Sequence, residues 1–429
     1  MTKRVLNNNF QSLEEMEWVM EKCVRCNMCK FPPLSRVEAI DYSIGCPSFD
    51  YFKFHASSGG GKLIMAASLT WGRSSVTESV KKFAYACTLC GSCDVSCKFC
   101  VDIELLDVLF MLRNRLFKEG ALHERHRAIL DCIRNYGHPL PELAKKSCRV
   151  PSDCQNDKAD TLVWLGPRFP RDPAYANWLK AMLEILKKGN IRYRILADEE
   201  PYSGRAALEI GDRDLFHEQS VKVAEAVQRA KPKKIVCLDA EDYSTLRSRT
   251  PRFVKFDTPV LHISEIYRQL VGKGSFAPRK AVSLKNVGWH DPSYLGRLAG
   301  KFLPWQGTND KEELGIRAYV PTRTLDYGTG GAFDAPRTVL KRILGRPALE
   351  LSLKKEYAYS CGETGQAKAI LPEFVEATAQ KRVREALDHG IETLVTECPQ
   401  AYRTLADASR NLSGIRIVSL TELMSKAYL

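Results

Sequence analysis

The sequence predicts an α/β protein in which a helical N-terminal part precedes two diverged copies of one α/β unit. Eight cysteines form two groups within the first 100 residues, where the surrounding segments have helical patterning. Strand patterns then alternate with helical patterns from about residue 160 to 270, and the alternation starts again at 283. We therefore expect a helical domain at 1–125, a linker at 126–158, and α/β repeats at 159–275 and 276–429.

Composition narrows the class of protein. The chain has 429 residues, 44% of them apolar, which is ordinary for a globular protein of about three domains. Its 15 cysteines are clustered, which favours metal binding in a reducing, cytoplasmic setting over a disulfide framework. The N-terminus has no apolar leader, and no apolar run is long enough to span a membrane. Membrane contact is expected only through partner subunits.

The formal charge of +13 raises the question of nucleic-acid binding. The basic residues are spread along the chain, however, and no nucleic-acid motif accompanies them. We expect no nucleic-acid partner. A solvated basic surface, a face for an acidic protein and a face for an anionic membrane surface remain the alternatives.

The second cysteine group, CTLCGSCDVSCKFC, has the spacing C-x2-C-x2-C-x3-C. This is the ligand run of a bacterial-type 4Fe–4S cluster, and it is a poor match to zinc or to structural disulfides. The expected ligands are Cys87, Cys90, Cys93 and Cys97. Cys100 follows as a fifth thiol, which we interpret as a spare or packing residue.

The first group, CVRCNMC, supplies Cys23, Cys26 and Cys29, and Cys46 follows later, directly before Pro47. Proline after the last cysteine is typical of a cluster ligand run, whereas an incomplete zinc knuckle is the alternative. In two-cluster ferredoxins the fourth cysteine of one run binds the other cluster. Two 4Fe–4S clusters are therefore expected. In the crossed arrangement, Cys97 binds the cluster of the first group and Cys46 binds the cluster of the second. In the serial arrangement, each cluster is bound by the four cysteines of its own run.

Helical patterns surround these cysteines at 11–22, in KLIMAASL, in VTESVKKFAYA and at 103–118. The last carries a leucine stripe that should pack in the core and cover the clusters: Leu105, Leu109, Leu112 and Leu116. The stretch ASSGGGK lacks the frame of a phosphate-binding loop, so a flexible turn before a helix is expected there.

Strands are expected in both repeats. In the first they are TLVWLG, RYRIL and KKIVCLD, with helices at about 174–188 and in VKVAEAVQRA, and with GRAALEIGDRDLF in a loop. In the second they are NVGWHD, EYAYSCG and a closing strand IETLVTECP, with a helix in VEATAQKRVREALDHG.

This layout resembles the iron–sulfur subunits of heterodisulfide reductases that contain CCG domains, and it looks most similar to the related iron–sulfur subunit of class II benzoyl-CoA reductase complexes. The resemblance covers nearly the whole chain and rests on CTLCGSC, GDRDLF, HDPSYLGR, FLPWQG, YSCGETG and VTECP. In that family each repeat supplies five cysteines, and together they hold a non-cubane 4Fe–4S cluster that performs disulfide chemistry.

This chain departs from the family pattern in both repeats. In the first, none of the five ligands remains, because other residues stand at their positions: Pro167, Tyr202, Ser203, Asp239 and Asp242. Cys237 lies nearby but out of register. In the second, Cys361 and Cys398 remain, while Ser293, Ser360 and Ala401 replace the other three. Such residues are poor substitutes for thiolates, so we expect no non-cubane cluster.

Other candidate sites are weaker. Cys361 and Cys398 could form a thiol pair, although two buried relict cysteines are the simpler interpretation. His290 and Asp291 follow a strand, where a structural turn is more plausible than a catalytic pair. The segment GTGGAF lacks the frame of a dinucleotide-binding loop.

The sequence therefore predicts an electron-transfer subunit of a larger anaerobic oxidoreductase, rather than a complete enzyme. The resemblance implies redox partners of the flavoprotein, ferredoxin-like or membrane- and quinone-linked kinds. A disulfide or quinone reductase using Cys361 in the second repeat is the alternative, and a purely structural subunit is a third.

Overall fold

A computed structural model describes residues 6–150, 159–274, 276–279, 284–311 and 317–429. Its N-terminal part is helical, as expected. Part of the predicted linker, 151–158, lies outside the described residues. The helices are α1 (Glu17–Met20), α2 (Pro47–Phe52), α3 (Gly59–Thr70), α4 (Glu78–Tyr85), α5 (Ser92–Cys100), α6 (Leu105–Lys118) and α7 (Glu124–Tyr136).

The first repeat is built on a four-stranded parallel sheet in the order β3-β2-β4-β5. Helices connect these strands, which is what parallel pairing requires. Its elements are β2 (Thr161–Trp164), α8 (Ala176–Lys188), β3 (Arg194–Ile195), α9 (Arg205–Ile210), α10 (Arg213–Ala230), β4 (Lys234–Cys237), α11 (Ala240–Ser248), β5 (Val260–His262) and α12 (Ile263–Val271).

The second repeat has a three-stranded parallel sheet in the order β6-β9-β10. A single parallel bridge from Gly288 to Leu349 takes the place of β3 at its edge. The strand order of the first repeat is thus reproduced. Its elements are β6 (Val287–Trp289), α13 (Asp334–Leu344), α14 (Pro372–Asp388), β9 (Thr393–Thr396), α15 (Pro399–Ser409), β10 (Arg416–Ser419) and α16 (Leu420–Tyr428).

A small antiparallel sheet was not expected from the sequence. Its strands, in the order β1-β7-β8, are β1 (Leu6–Asn7), β7 (Gln306–Lys311) and β8 (Arg317–Val320). It fastens the start of the described chain to an insertion in the second repeat, since Leu6 pairs with Gly307.

The predicted α/β class is confirmed, whereas the exact domain boundaries stay predictions. Four local expectations were wrong. The glycines of ASSGGGK open α3 instead of forming a turn, and EYAYSCG contains no strand. The expected loop GRAALEIGDRDLF holds α9 and the start of α10, and β9 is followed by β10, so it does not close the sheet.

The leucine stripe of α6 is buried along its whole length, as expected, and α6 packs against α3, α4, α5 and α9. The same helix carries Arg113, whose side chain is fully buried. Its guanidinium donates to the carbonyl oxygens of Cys87 (2.6 Å), Glu209 (2.6 Å) and Gly365 (2.7 Å). One side chain therefore joins the cysteine-rich domain to both repeats.

Replacing Arg113 with methionine should destabilise the whole assembly. The change leaves three buried carbonyl groups without their charged donor, and we expect a loss of about 3–5 kcal/mol in the free energy of unfolding. Anaerobic thermal or urea unfolding followed by circular dichroism measures the loss. Arg127→Met is the matched control, because Arg127 is an exposed arginine on α7. Equal midpoints for the two variants would contradict the assigned role of Arg113.

Candidate iron–sulfur centres

The structure brings Cys97 to the first cysteine group. Cys97, from α5, lines one pocket together with Cys23, Cys26 and Cys29. Burial, then Asp94, and then these three thiols raise the pKa of Cys97 above its usual value. The loop from Cys23 to Cys29 bends sharply, with positive φ angles at Arg25 (57°) and Asn27 (68°). We call this set of four cysteines the first cage.

Cys46 lies instead with the second group. Burial raises its pKa to about 12, and the neighbouring thiols of Cys87 and Cys90 act in the same direction. Burial, followed by Cys46, Cys87 and Cys90, likewise raises the pKa of Cys93. Cys46 reaches this position because it directly precedes α2, which begins at Pro47. We call these four cysteines the second cage, and the proximity of the thiols within each cage favours the crossed arrangement.

The donor set suits a cluster that binds thiolates. Burial raises the pKa of Cys29, Cys46, Cys93 and Cys97, so iron must displace protons from these buried thiols. Several groups favour the thiolate: the backbone N–H of Gly60 donates to Cys29, and the buried ammonium of Lys62 lowers the pKa of Cys46. The N–H of Leu89 donates to Cys87 Sγ (3.4 Å). Hydrogen bonds to sulfur are also a means of setting cluster potential.

The start of α3 runs between the two cages, and its glycines are required there. A Cβ atom at Gly60 would lie 2.9 Å from Cys29 Sγ, and one at Gly59 would lie 2.9 Å from Cys93 Sγ. Neither distance is found for real Cβ contacts. Gly59 thus faces the second cage and Gly60 the first, which explains the glycines better than the flexible turn expected from the sequence.

A single metal ion is a poorer fit than a cluster. Within the described part of the chain, no three His, Cys, Asp or Glu side chains are placed to hold one ion. Zinc would need thiolates converging to about 2.3 Å from one point. The spacing of the two cysteine runs likewise favours a cluster over one zinc ion.

The two cages differ in exposure. In the first, Cys26 is exposed and Cys23 is half-buried. Its Cys29 and Cys97 are buried. In the second, Cys46 and Cys87 are half-buried and Cys90 and Cys93 are buried, and the loop that carries the last two packs against Arg297 and Leu298 of the second repeat. Arg297 Nε donates to the carbonyl oxygen of Cys90 (2.5 Å). The first cage therefore lies nearer the surface and the second lies inward.

Cys100 is placed beside the first cage. It is exposed and in hydrogen-bonding contact with Cys26. It is absent from the pocket lined by the other four thiols. This placement agrees with its interpretation as a spare thiol, and its role stays a prediction.

In the second repeat, the positions of the family's cluster ligands converge on one carboxylate that the sequence reasoning missed. Glu363 accepts hydrogen bonds from the backbone N–H of Ser293 (2.8 Å), from Ser360 Oγ (2.9 Å) and from Cys361 Sγ (3.2 Å). Burial acts to raise the pKa of Glu363. The net pKa is nevertheless lowered, first by His290 and then by hydrogen bonds such as those from Ser293 and Cys361. The remaining donors of this repeat are thus satisfied within the protein.

The substituted positions of the first repeat have become part of its framework. Asp239 caps the start of α11 by accepting from the N–H of Glu241 (2.9 Å). Tyr202 donates to Glu241 (2.8 Å). Gln400, also missed, links the repeats, because it donates to Glu241 (3.0 Å) and accepts from Cys398 Sγ (3.3 Å).

Residues Cys361 and Cys398 are fully buried, and burial is the main cause that raises the pKa of each thiol. They are near enough for Cys398 to influence the pKa of Cys361. Each nevertheless donates to its own acceptor, and both are unpaired thiols. This arrangement favours the interpretation of buried relict cysteines over that of a reactive pair.

His290 and Asp291 form a structural turn. Asp291 accepts from Trp289 Nε1 (2.9 Å) and from both Nη atoms of Arg337 (2.8 and 2.7 Å). His290 is fully buried and accepts from Arg382 Nε (3.2 Å). These bonds hold Asp291 in the loop after β6, whereas the buried Nε2 of His290 has no hydrogen-bond partner among the described residues.

Comparison with known proteins agrees with these cages. Residues 19–101 match the 4Fe-4S dicluster domain family. Over 359 residues the chain is 26% identical to a subunit, designated D, of dihydromethanophenazine:CoB–CoM heterodisulfide reductase from Methanosarcina barkeri, covering 82% of this chain and 79% of that protein. The corresponding proteins of Methanosarcina mazei and Methanosarcina acetivorans show the same identity and coverage.

A bacterial relative is similar over part of its own length. The probable iron-sulfur-binding oxidoreductase FadF of Bacillus subtilis is 23% identical over 87% of this chain, which spans 51% of that protein. In the described part of this chain no helix is long and apolar enough to cross a bilayer. The closer likeness to benzoyl-CoA reductase subunits stays a prediction. Over most of its length the chain is thus similar to the Methanosarcina heterodisulfide reductase subunits, and its N-terminal part matches a 4Fe-4S dicluster domain.

Proposed function

We propose that the chain is an electron-transfer subunit that relays electrons through two 4Fe–4S clusters within a larger oxidoreductase. The observation that carries this proposal is the crossed pair of four-cysteine cages. The proposed ligands of the first cluster are Cys23, Cys26, Cys29 and Cys97, and those of the second are Cys46, Cys87, Cys90 and Cys93.

Each cluster, when bound, supplies a one-electron redox centre. The chain holds it, limits its contact with water and sets its environment. Leu105 of α6 lines the first cage and also lies against Gly59, so that it shields the space between the cages. The exposed first cage and the covered second cage favour a route from the surface inward toward the repeats.

We further propose that the two repeats bind no non-cubane cluster and act as scaffold and docking surface. In the second repeat Ser360 and Cys361 donate to Glu363, and in the first repeat Tyr202 donates to Glu241. This also disfavours a disulfide or quinone reductase that uses Cys361, because the thiol is buried and bonded to Glu363.

The relatives suggest the setting of the chain. The Methanosarcina proteins are named as subunits of a reductase, and a Chromohalobacter salexigens relative, 24% identical over 75% of this chain, is named as a probable membrane-anchored ferredoxin. We propose a cytoplasmic subunit whose partners are flavoprotein, ferredoxin-like or membrane-linked redox subunits, with any membrane contact made by those partners.

Metal analysis of the anaerobically purified chain tests the proposed clusters. We expect about eight iron and about eight sulfide per chain, and two one-electron steps in a potentiometric titration followed by visible absorbance and EPR. The Cys361→Ser variant is the control and should have the same content. About twelve iron per chain or more, or a loss of iron in Cys361→Ser, would contradict the proposal.

A further inference from the structure

Exposed apolar side chains are concentrated on the cysteine-rich domain. Seven of the thirteen large apolar side chains that are exposed in the described part of the chain lie between Val24 and Phe99. Val24 is 69% exposed and lies within the ligand loop of the first cage, while Phe99 is 57% exposed on the last turn of α5. Unsupported apolar groups of this size beside a functional centre indicate an interaction site.

Two of these side chains, Val24 and Phe99, lie next to cysteines at the exposed edge of the first cage. Cys100, next to Phe99, contacts Cys26, and Val24 lies two residues before Cys26. Arg25, also exposed, stands between them in the chain. We call the surface formed by Val24, Arg25, Cys26, Phe99 and Cys100 the first-cage face.

The charge near this face is mostly positive, with one exposed acidic residue, Glu21, two residues before Cys23. Arg25 and Lys30 are the charged residues of the segment from Cys23 to Lys30, and both influence the pKa of His55, which lines the first cage. Asp102, two residues beyond Cys100, is already paired with Arg323 and Lys22. The face thus combines an apolar centre with a basic rim.

We propose that a small acidic electron-carrier protein of the ferredoxin class docks on the first-cage face. This inference rests on the proposed function. One electron leaves the reduced carrier and enters the first cluster, with no bond made and no proton moved. Transient redox complexes use small interfaces, and a basic rim steers an acidic carrier while the apolar centre provides contact.

The covered position of the second cage makes the first-cage face the better approach. The loop that carries Cys90 is held by Arg297 and Arg113 of the surrounding structure, and Thr364 donates to the carbonyl oxygen of Thr88. A carrier therefore cannot reach that loop without displacing the second repeat. The exposed Cys26 lies where no such cover exists among the described residues.

Binding and reduction measurements with an acidic 2Fe–2S ferredoxin test the proposal. The double variant Arg25→Glu/Phe99→Ser reverses one charge and removes one exposed aromatic. The control, Arg127→Glu/Tyr136→Ser on α7, makes the same changes at other exposed sites. Affinity for the oxidised carrier is measured at several salt concentrations, and reduction of the chain by the reduced carrier is followed by stopped-flow absorbance.

We expect at least tenfold weaker binding and tenfold slower reduction for the first-cage variant, a smaller salt dependence, and values for the control within twofold of the unmodified chain. If the double variant loses iron, the single variant Phe99→Ser replaces it in these measurements, because Phe99 lies outside the lining of the first cage. Equal loss in the control and the first-cage variant would overturn the proposal. So would self-association of the unmodified chain through this face without carrier binding.

Reduction by dithionite separates this proposal from the proposed function. Dithionite is small and needs no docking face, so it should fully reduce the unmodified chain, Phe99→Ser and the control variant. If dithionite reduces the chain and the carrier neither binds nor reduces it, the docking proposal fails and the electron-transfer function stands. If dithionite reduces no cluster, the proposed function itself fails.

Discussion

Replacing Cys97 with serine is expected to remove the cluster of the first cage while the cluster of the second cage remains. Cys97 belongs by sequence to the second run but lies in the pocket lined by Cys23, Cys26 and Cys29. Serine is a poor ligand where iron requires a soft thiolate. Iron should fall from about eight to about four per chain, and the EPR spectrum of the reduced protein should lose one of its two components.

Comparison of spectra decides which cluster is lost. In the crossed arrangement the Cys97→Ser spectrum should match that of Cys23→Ser, and the Cys46→Ser spectrum should match that of Cys87→Ser. In the serial arrangement the Cys97→Ser spectrum should instead match that of Cys87→Ser, and the Cys46→Ser spectrum that of Cys23→Ser. Cys100→Ser is the matched control, since this cysteine is close to Cys26 but outside both proposed ligand sets. A match between Cys97→Ser and Cys87→Ser would rule out the crossed cages.

The crossed arrangement shows what cysteine spacing can predict and what it cannot. The C-x2-C-x2-C-x3-C run predicted a cluster, because three close thiols and a fourth from elsewhere suit such a core. The spacing alone did not determine which cluster Cys46 and Cys97 bind. That choice depends on how α2 and α5 pack against α3, which is a tertiary property. The likeness of the cysteine runs to those of two-cluster ferredoxins suggested the crossed arrangement as a hypothesis. In the structure Cys97 lies near the first group and Cys46 near the second, as this hypothesis requires.

The repeats were predictable where hydrophobic runs are continuous. The buried strands β2, β4 and β9 lie where the sequence placed them, since strands covered on both faces read as uninterrupted apolar runs. EYAYSCG was misread because its aromatic residues also favour strands. In the structure Tyr359 of that segment is drawn away to Asp50, to which its hydroxyl donates (3.0 Å), so that contacts with another domain override the local preference.

Of two missed features, the start of α10 had a usable signal in the sequence and the role of Glu363 had none. Asp212 precedes the helical pattern of α10 and accepts from the N–H of Leu215 (3.0 Å), as an N-cap does. Recognising that cap would have started the helix at GDRDLF. In the sequence Glu363 is only an acidic residue two positions after Cys361. Nothing there indicated that Ser360 and Cys361 would donate to its carboxylate.

Alanine substitutions at Gly59 and Gly60 are expected to affect different clusters, although the residues are adjacent. Gly60→Ala should reduce the iron of the first cage, because its Cβ would lie 2.9 Å from Cys29 Sγ. Gly59→Ala should reduce that of the second, because its Cβ would lie 2.7 Å from Cys93 Cβ. Each variant should hold about four iron per chain, and its residual EPR spectrum should match that of the corresponding cysteine variant.

Helix propensity makes the prediction sharper. Within a helix, alanine is favoured over glycine by about 1 kcal/mol, so both changes should stabilise α3 if the cages did not approach it. A loss of cluster must then come from steric contact with the cysteines. Ser68→Ala, on the same helix but beyond the cages, is the control and should keep about eight iron. Full iron content in both glycine variants would show that neither cage needs the close approach of α3, whereas loss of the same cluster in both would contradict the separate placement of Gly59 and Gly60.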